Sequence, residues 1–258
     1  MTKISNKGDK KEQSRKAINV YRSKIRERFK AILEKTTSNY HKLVKKIESM
    51  FIGGRKYCIL PKALWIDQLF KTKQVIHTTA EKGIPINFSL PHLKNRYEYK
   101  FYDSEKDGEL SANTPDYLKK YINIIKDCLL NIRYTRVSII TSFEKCNQQR
   151  LHADEAAYYD LEEKTVKDAP YSLVMALERN ENPTSIIIER SDETTETKLL
   201  YAGEAILMRG DFRHAGAAYK QINNRLFIAF GTESFPNNGE TTGGLTIIAP
   251  NHKKKSHR

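Results

Sequence analysis

The sequence predicts an α+β fold, with helices gathered in the N-terminal half and a two-layered antiparallel β core in the C-terminal half. Two patterns carry that prediction. Between residues 133 and 250, seven short apolar runs follow one another: RVSIITSF, YSLVMALE, TSIIIER, TKLLYAG, EAILMRG, RLFIAFG and GLTIIAP. Gly, Pro, Asn and Asp punctuate them. Strands this short and this dense argue for an all-β double-layered core. Upstream, apolar residues instead recur at helical spacing, from Ser14 to Phe51 and again from Leu118 to Leu129.

Taken in order, residues 1–13 are polar and are expected to be disordered. Ile18, Tyr21, Ile25, Phe29, Ile32 and Leu33 then form one apolar stripe, and Tyr40, Leu43, Val44, Ile47 and Met50 a second. The cluster Thr36-Thr37-Ser38-Asn39 divides them into two helices, and Gly53-Gly54 ends the second. Residues 1–54 thus read as a basic helical N-terminal extension. Residues 55–132 read as a mixed helical and strand region packing on the core. A short helix from Lys62 to Phe70 carries Trp65, the only tryptophan, which is assigned to the core. The run IPINFSLPHL reads as extended, its prolines limiting it to a sheet edge. Arg96 to Gly108 is aromatic and charged, suiting a hairpin or a loop over a substrate. Thr114-Pro115-Asp116 opens a helix with a capping hydroxyl, a proline at the first position and an acid in the first turn. Leu118, Tyr121, Ile122, Ile125 and Leu129 form its single apolar stripe. Residues 133–250 form the predicted β core, and residues 251–258 a basic tail.

Composition narrows the function classes. The 258 residues suit one substantial domain with an extension, and 39% hydrophobic content is enough for a core. No apolar run is long enough to span a bilayer, and MTKISNKGDKKEQSRK lacks the apolar centre of a secretory signal. Cys58, Cys128 and Cys146 are scattered, with no CxxC pair, which argues against structural zinc or a disulfide framework. The expectation is an intracellular protein, cytoplasmic or nuclear, without a membrane partner. The net charge of +14 is uneven: +12 over residues 1–60, +3 over 61–133, −5 over 134–250 and +4 in the tail. The basic face of the first helices (Arg22, Lys24, Arg26, Arg28, Lys30, Lys42, Lys45, Lys46) could meet phosphates without reading sequence. A solvated helix face is the favoured reading of those charges, and nucleic acid the less favoured partner. No P-loop, dinucleotide fingerprint or nucleophile elbow is present, and nothing positions a serine for hydrolysis.

The chemistry-bearing pattern is His152-Ala-Asp154 followed, about sixty residues later, by His214. In extended chain, residues two apart point the same way, so an HxD pair can grip one ion. A second histidine from another strand completes two imidazoles and a carboxylate. That set holds a non-haem Fe(II) ion on one face and leaves positions for other ligands. An isolated histidine is more often structural. Here the strand VSIITSF leads into the first pair, and the strand–turn sequence AILMRGDFRH leads into His214. Arg225, eleven residues past His214, opens the strand RLFIAFG.

With these residues in place, the chain resembles the Fe(II)/2-oxoglutarate-dependent dioxygenases over residues 133 to 250. The resemblance implies a double-stranded β-helix (jelly roll) core, with His152, Asp154 and His214 as ligands of Fe(II). It implies Arg225 as the partner of the far carboxylate of 2-oxoglutarate, whose guanidinium fork matches a carboxylate as lysine cannot. Many members carry Ser or Thr two residues beyond that arginine, whereas this chain has Phe227. A second carboxylate contact is therefore expected from Tyr134, Ser138 or Gln149. Gln149, Glu155 and Asp211 are candidates to orient the imidazoles. The implied reaction consumes O2 and 2-oxoglutarate and hydroxylates a C–H bond, with succinate as coproduct. Asp154 favours hydroxylation over halogenation, since the related halogenases replace that acid with a small residue. A protein side chain or a small molecule is the favoured substrate. The nucleic-acid demethylases usually carry a second arginine on the same strand, and LFIAFGTES has none. A non-catalytic jelly-roll binding protein is the reading from another class.

Overall fold

The computed structural model describes residues 7–79, 84–85, 95–100, 114–155, 158–160 and 165–233. Two long helices open the chain, α1 (Lys7–Lys35) and α2 (Ser38–Ile52), parted at Thr36-Thr37 as the polar cluster requires. The chain then runs through β1 (Tyr57–Leu60), α3 (Ile66–Thr79), β2 (Ile84–Pro85), β3 (Arg96–Lys100), α4 (Asp116–Cys128) and β4 (Ile132–Ser142). Eight further strands follow: β5 (Tyr158–Asp160), β6 (Thr165–Asp168), β7 (Tyr171–Ala176), β8 (Thr184–Glu189), β9 (Thr195–Leu200), β10 (Ala205–Arg209), β11 (His214–Gly216) and β12 (Asn223–Thr232).

A seven-stranded antiparallel sheet, ordered β1-β10-β7-β12-β4-β3-β2, is the major layer, and β11-β8-β9 form a minor one. Strand alternation assigns each face. On β12, Leu226, Ile228 and Phe230 join the larger core, with Val137 and Ile139 of β4 and Leu173 and Met175 of β7. That core is closed by Phe29, Leu43, Ile47, Tyr121 and Ile125 from α1, α2 and α4. Phe227 and Ala229 of β12 point the other way, towards a second core with Val174, Ile206, Met208, Ile186 and Ile188. This second core lies between the two sheets, and the parity of β12 puts Arg225 on its side. The result is the expected two-layered β core with helices packed on its outer face.

Several expectations are corrected here. Residues 7–13 belong to α1 rather than to a disordered tail, because their Lys, Glu and Gln are good helix formers. The stripe on α1 buries only from Ile25 onwards; Ile18 and Tyr21 are exposed. Trp65 is 75% exposed, not a core residue, since it precedes α3 and Leu64 and Leu69 take the buried positions beside it. Pro115, held at φ −59° and ψ 141°, is the N-cap of α4, and the buried Thr114 hydroxyl makes no hydrogen bond. Arg96 opens a sheet strand, and Pro85 lies on the edge strand β2, where a missing N–H is tolerated. The rest of IPINFSLPHL, residues 101–108 and the run GLTIIAP lie outside the described residues.

Two further features bear on later arguments. Arg28 of α1 donates to the carbonyls of Asp127 (2.6 Å) and Leu129, placing a cation at the C-terminal end of α4. On β9, an edge strand, Glu196 and Lys198 stand opposite Ile188 and Ile186 and thus face the inter-sheet side. They pair with each other, and Arg190 also reaches Glu196 at 3.0 Å.

Candidate metal centre

Residues 149–154 run antiparallel to β11. His152 N–H donates to the His214 carbonyl (2.9 Å), and His214 N–H to the His152 carbonyl (2.8 Å). Such an exchange makes the two residues direct cross-strand neighbours with side chains on one face. Their rings stand 4.8 Å apart. Asp154, two residues on, returns to the same face. Its Oδ1 is 3.5 Å from His152 Nε2 and 3.7 Å from His214 Nε2. The three donor atoms lie within 4.8 Å of one another, with His214 buried and the other two half-buried.

Both rings are oriented for ligation. His152 Nδ1 lies 2.9 Å from the Arg150 carbonyl and His214 Nδ1 3.1 Å from the Phe212 carbonyl, in each case two residues earlier. A carbonyl can only accept, so in the neutral ring Nδ1 carries the proton and each Nε2 is left with its lone pair on the side of Asp154. Asp154 Oδ2 is buried without a hydrogen bond. Burial alone would raise the Asp154 pKa, but the facing His214 and His152, with a smaller contribution from Ser172, hold it well below the usual carboxylate range. A charged carboxylate, an unpaired buried oxygen and two lone pairs aimed at one point are the donor set of a divalent ion. They fit Fe(II).

The imidazoles are thus oriented by backbone carbonyls, not by Gln149, Glu155 or Asp211. Gln149 Oε1 accepts the Gly216 N–H at 2.8 Å. Asp211 is held by Arg209 (2.6 and 2.9 Å) and Lys56 (3.0 Å). Glu155 is half-buried, its N–H on the Gly210 carbonyl. Two glycines make these approaches possible. A Cβ on Gly210 would come within 2.9 Å of Pro170 and Glu155, and one on Gly216 within 2.5 Å of Gln149 Oε1.

Arg225 is 3% exposed on the inter-sheet face, with Nη1 2.7 Å from Ser142 Oγ. A second guanidinium, Arg96 on β3, shares that oxygen: its Nη1 is also 2.7 Å from Ser142 Oγ. Arg96 is 1% exposed and donates from Nη2 to the carbonyls of Asn147 (2.8 Å) and Ala217 (2.6 Å). The Tyr219 ring lies 5.9 Å from Arg96 and 5.7 Å from Arg225, and its hydroxyl is tied to the backbone of Ser185. Burial, then the neighbouring Arg225 charge, pulls the Arg96 pKa down to about 10; burial lowers that of Arg225. Among the described residues no carboxylate lies within ion-pair distance of either. Two Nη1 atoms 2.7 Å from one oxygen cannot be more than about 5.4 Å apart. At that separation unit charges repel by about 3 kcal/mol at an effective dielectric of 20.

Of the expected second carboxylate contacts, Gln149 is committed to Gly216. Ser138, on the same face of β4 as Ser142, is fully buried with its hydroxyl unpaired. The Tyr134 side chain lies outside the described residues. Sequence reasoning did not single out Arg96 or Ser142, whose side chains meet Arg225 here. Ser142 could have been found from its parity with Ser138 on one strand.

No family model matches the sequence, and no curated protein matches it. Solved structures do. A prolyl-4-hydroxylase from Pseudomonas putida aligns with 74% of this chain and 98% of its own, at 12% identity and a TM-score of 0.54. A Trichoplax adhaerens prolyl hydroxylase, solved with a hypoxia inducible factor peptide fragment, aligns with 78% of this chain and 93% of its own, at 10% identity and a TM-score of 0.57. A 2OG-Fe(II) oxygenase family protein from Burkholderia pseudomallei covers 76% and 93%, at 12% identity and a TM-score of 0.50. The chain therefore has the jelly-roll fold of the 2OG-Fe(II) oxygenases.

Proposed function

We propose that this protein is an Fe(II)- and 2-oxoglutarate-dependent oxygenase that hydroxylates a C–H bond of a protein side chain or small molecule. The observation that carries the reading is the convergence of His152, Asp154 and His214, with both Nε2 lone pairs turned towards the carboxylate. When bound, Fe(II) and 2-oxoglutarate supply the oxidation, in which O2 is consumed and succinate and CO2 are released. This chain's own residues bind and orient. His152 and His214 hold the ion as neutral ligands, and Asp154 offsets one of its charges. Arg225 receives the far carboxylate of 2-oxoglutarate. Ser138 remains a candidate further contact, as does Tyr134 on the same strand, whereas Gln149 serves by shaping the loop around Gly216. Phe227, two residues along the face from Arg225, belongs to the apolar core between the sheets.

The fold likeness to two prolyl hydroxylases, one seen with a peptide, is consistent with a protein substrate but does not choose it over a small molecule. The test is anaerobic reconstitution with Fe(II), addition of 2-oxoglutarate and O2, and measurement of succinate. Turnover above a metal-free control is expected. Its absence in a folded, iron-loaded protein, across a panel of peptides and small molecules and without any uncoupled succinate formation, leaves the jelly-roll binding protein as the reading.

A further inference from the structure

Resting on the oxygenase reading, the two buried guanidiniums extend it. Arg225 donates to one described partner, Ser142 Oγ, and Arg96 converges on the same atom. A serine hydroxyl has two lone pairs and one hydrogen. With both lone pairs taken, the Ser142 hydrogen is left to be donated. Two cations and one hydroxyl donor therefore meet at one place, buried, with no carboxylate of the described residues within ion-pair distance; Glu98, on the same face of β3, faces Arg136 at 3.7 Å instead. Charges desolvated in this way call for an anion. Arg96 also ties β3 to the carbonyls of Asn147 and Ala217, but that tie uses Nη2 and does not require Nη1 to stand against Arg225. The centre is close: Arg96 Nη2 also lies 3.5 Å from the carbonyl of Gly216, two residues past His214 on β11.

We propose that Arg96 and Ser142 complete the far-carboxylate site of the cosubstrate beside Arg225, Arg96 as a second cation and Ser142 as the hydroxyl donor absent at Phe227. Arg96 also acts as a positioning residue, since its hold on Ser142 helps fix the oxygen against which Arg225 is set.

The experiment is calorimetric binding to Mn(II)-loaded protein without oxygen. It compares 2-oxoglutarate with 2-oxovalerate, which carries a methyl group where 2-oxoglutarate has its far carboxylate. Wild type is expected to prefer 2-oxoglutarate by about 100-fold or more, the lower end for two charged hydrogen bonds of about 1.5 kcal/mol each. In Arg96→Lys and in Ser142→Ala that preference is expected to fall about five-fold or more, with 2-oxovalerate affinity unchanged. Arg96→Gln should fall furthest; should it fail to fold, the other two variants carry the same outcomes. A smaller fall in the folded variants, while Arg225→Ala loses the preference, overturns the role of Arg96 and Ser142 and leaves the oxygenase reading standing. An equal loss of both ligands also overturns it, because that marks a site disturbed as a whole. If wild type binds 2-oxoglutarate no better than 2-oxovalerate, the oxygenase reading fails and takes this inference with it.

Discussion

His152 and His214 exchange both of their backbone hydrogen bonds, so the two imidazoles are set by a backbone pairing rather than by side-chain packing. Their ring orientation comes from the carbonyls two residues upstream, and Asp154 follows by strand parity. The candidate metal site is therefore a property of one short antiparallel pairing.

Removing one ligand should leave this pairing intact while abolishing the site. His152→Ala, His214→Ala and Asp154→Ala should each weaken Mn(II) binding by about a hundred-fold or more, since two remaining donors hold a labile divalent ion poorly. Equilibrium dialysis measures this, and circular dichroism checks the fold. Unchanged affinity in the folded variants would remove the three residues from the metal site.

Arg225→Ala should raise the 2-oxoglutarate requirement about ten- to a hundred-fold, the worth of a charged hydrogen bond of about 1.5–3 kcal/mol. Metal affinity should stay at the wild-type value. Arg225→Lys should recover part of the loss, keeping the charge without the fork. Cosubstrate titrations at fixed iron provide the measurement, and equal requirements in wild type and Arg225→Ala would make Arg225 purely structural.

Asp211 clamps the turn that leads into β11, between Arg209 and Lys56. Burial raises its pKa, but these two cations prevail and hold it below the ordinary value. A depressed folded-state pKa contributes stability above the unfolded value of about 3.9 and loses it as pH falls through the folded one. Asp211→Asn should therefore cost about 1 kcal/mol near neutral pH, with the gap from wild type closing in acid. Denaturant melts at pH 7 and at progressively lower pH follow the gap. A gap independent of pH would argue against a charged clamp.

On α1 the described residues are exposed until Ile25. Deleting residues 1–13 should leave the melting temperature and succinate formation unchanged. Deletion through Phe51 removes Phe29, Leu43 and Ile47, all fully buried, and should yield no soluble protein. Arg28→Ala alone should cost about 1–3 kcal/mol, because two carbonyls at the end of α4 lose their donor.

Arg22, Arg26, Lys42 and Lys46 are all exposed. Their joint replacement by Gln should leave stability within about 0.5 kcal/mol of wild type. Neither protein is expected to bind random-sequence DNA or RNA measurably at physiological salt. Wild-type binding that weakens by about 0.7–0.9 log units per log salt for each phosphate contact, and is lost in the variant, would establish a nucleic-acid face.

The convergence of His152, Asp154 and His214 is legible because its geometry is local: parity makes His152 and Asp154 neighbours, and a strand–turn sequence announces His214. Six of the seven predicted core strands appear as strands for the same reason, and GLTIIAP lies outside the described residues. What escaped depends on distant pairing or on backbone. Arg96 reaches the site only because β3 pairs with β4, putting it opposite Ser142, 46 residues later. The carbonyls of Arg150 and Phe212 leave no mark in residue type, so carboxylates and amides were sought in their place. Trp65 was misread because a lone large apolar residue carries no phase; Leu64 and Leu69 beside it took the core.

The inward charges of Glu196 and Lys198 have a consequence for concentrated solutions of this protein. Among the described residues β9 ends the minor sheet, so one row of its backbone donors and acceptors has no neighbouring strand there. A strand from another molecule that docked there would have to seal an ion pair against apolar surface, a desolvation that backbone hydrogen bonds repay poorly. The pair acts as a gatekeeper against edge-to-edge polymerisation. Replacing both residues with Val and Thr should make light scattering rise with protein concentration while the monomer's fold stays intact.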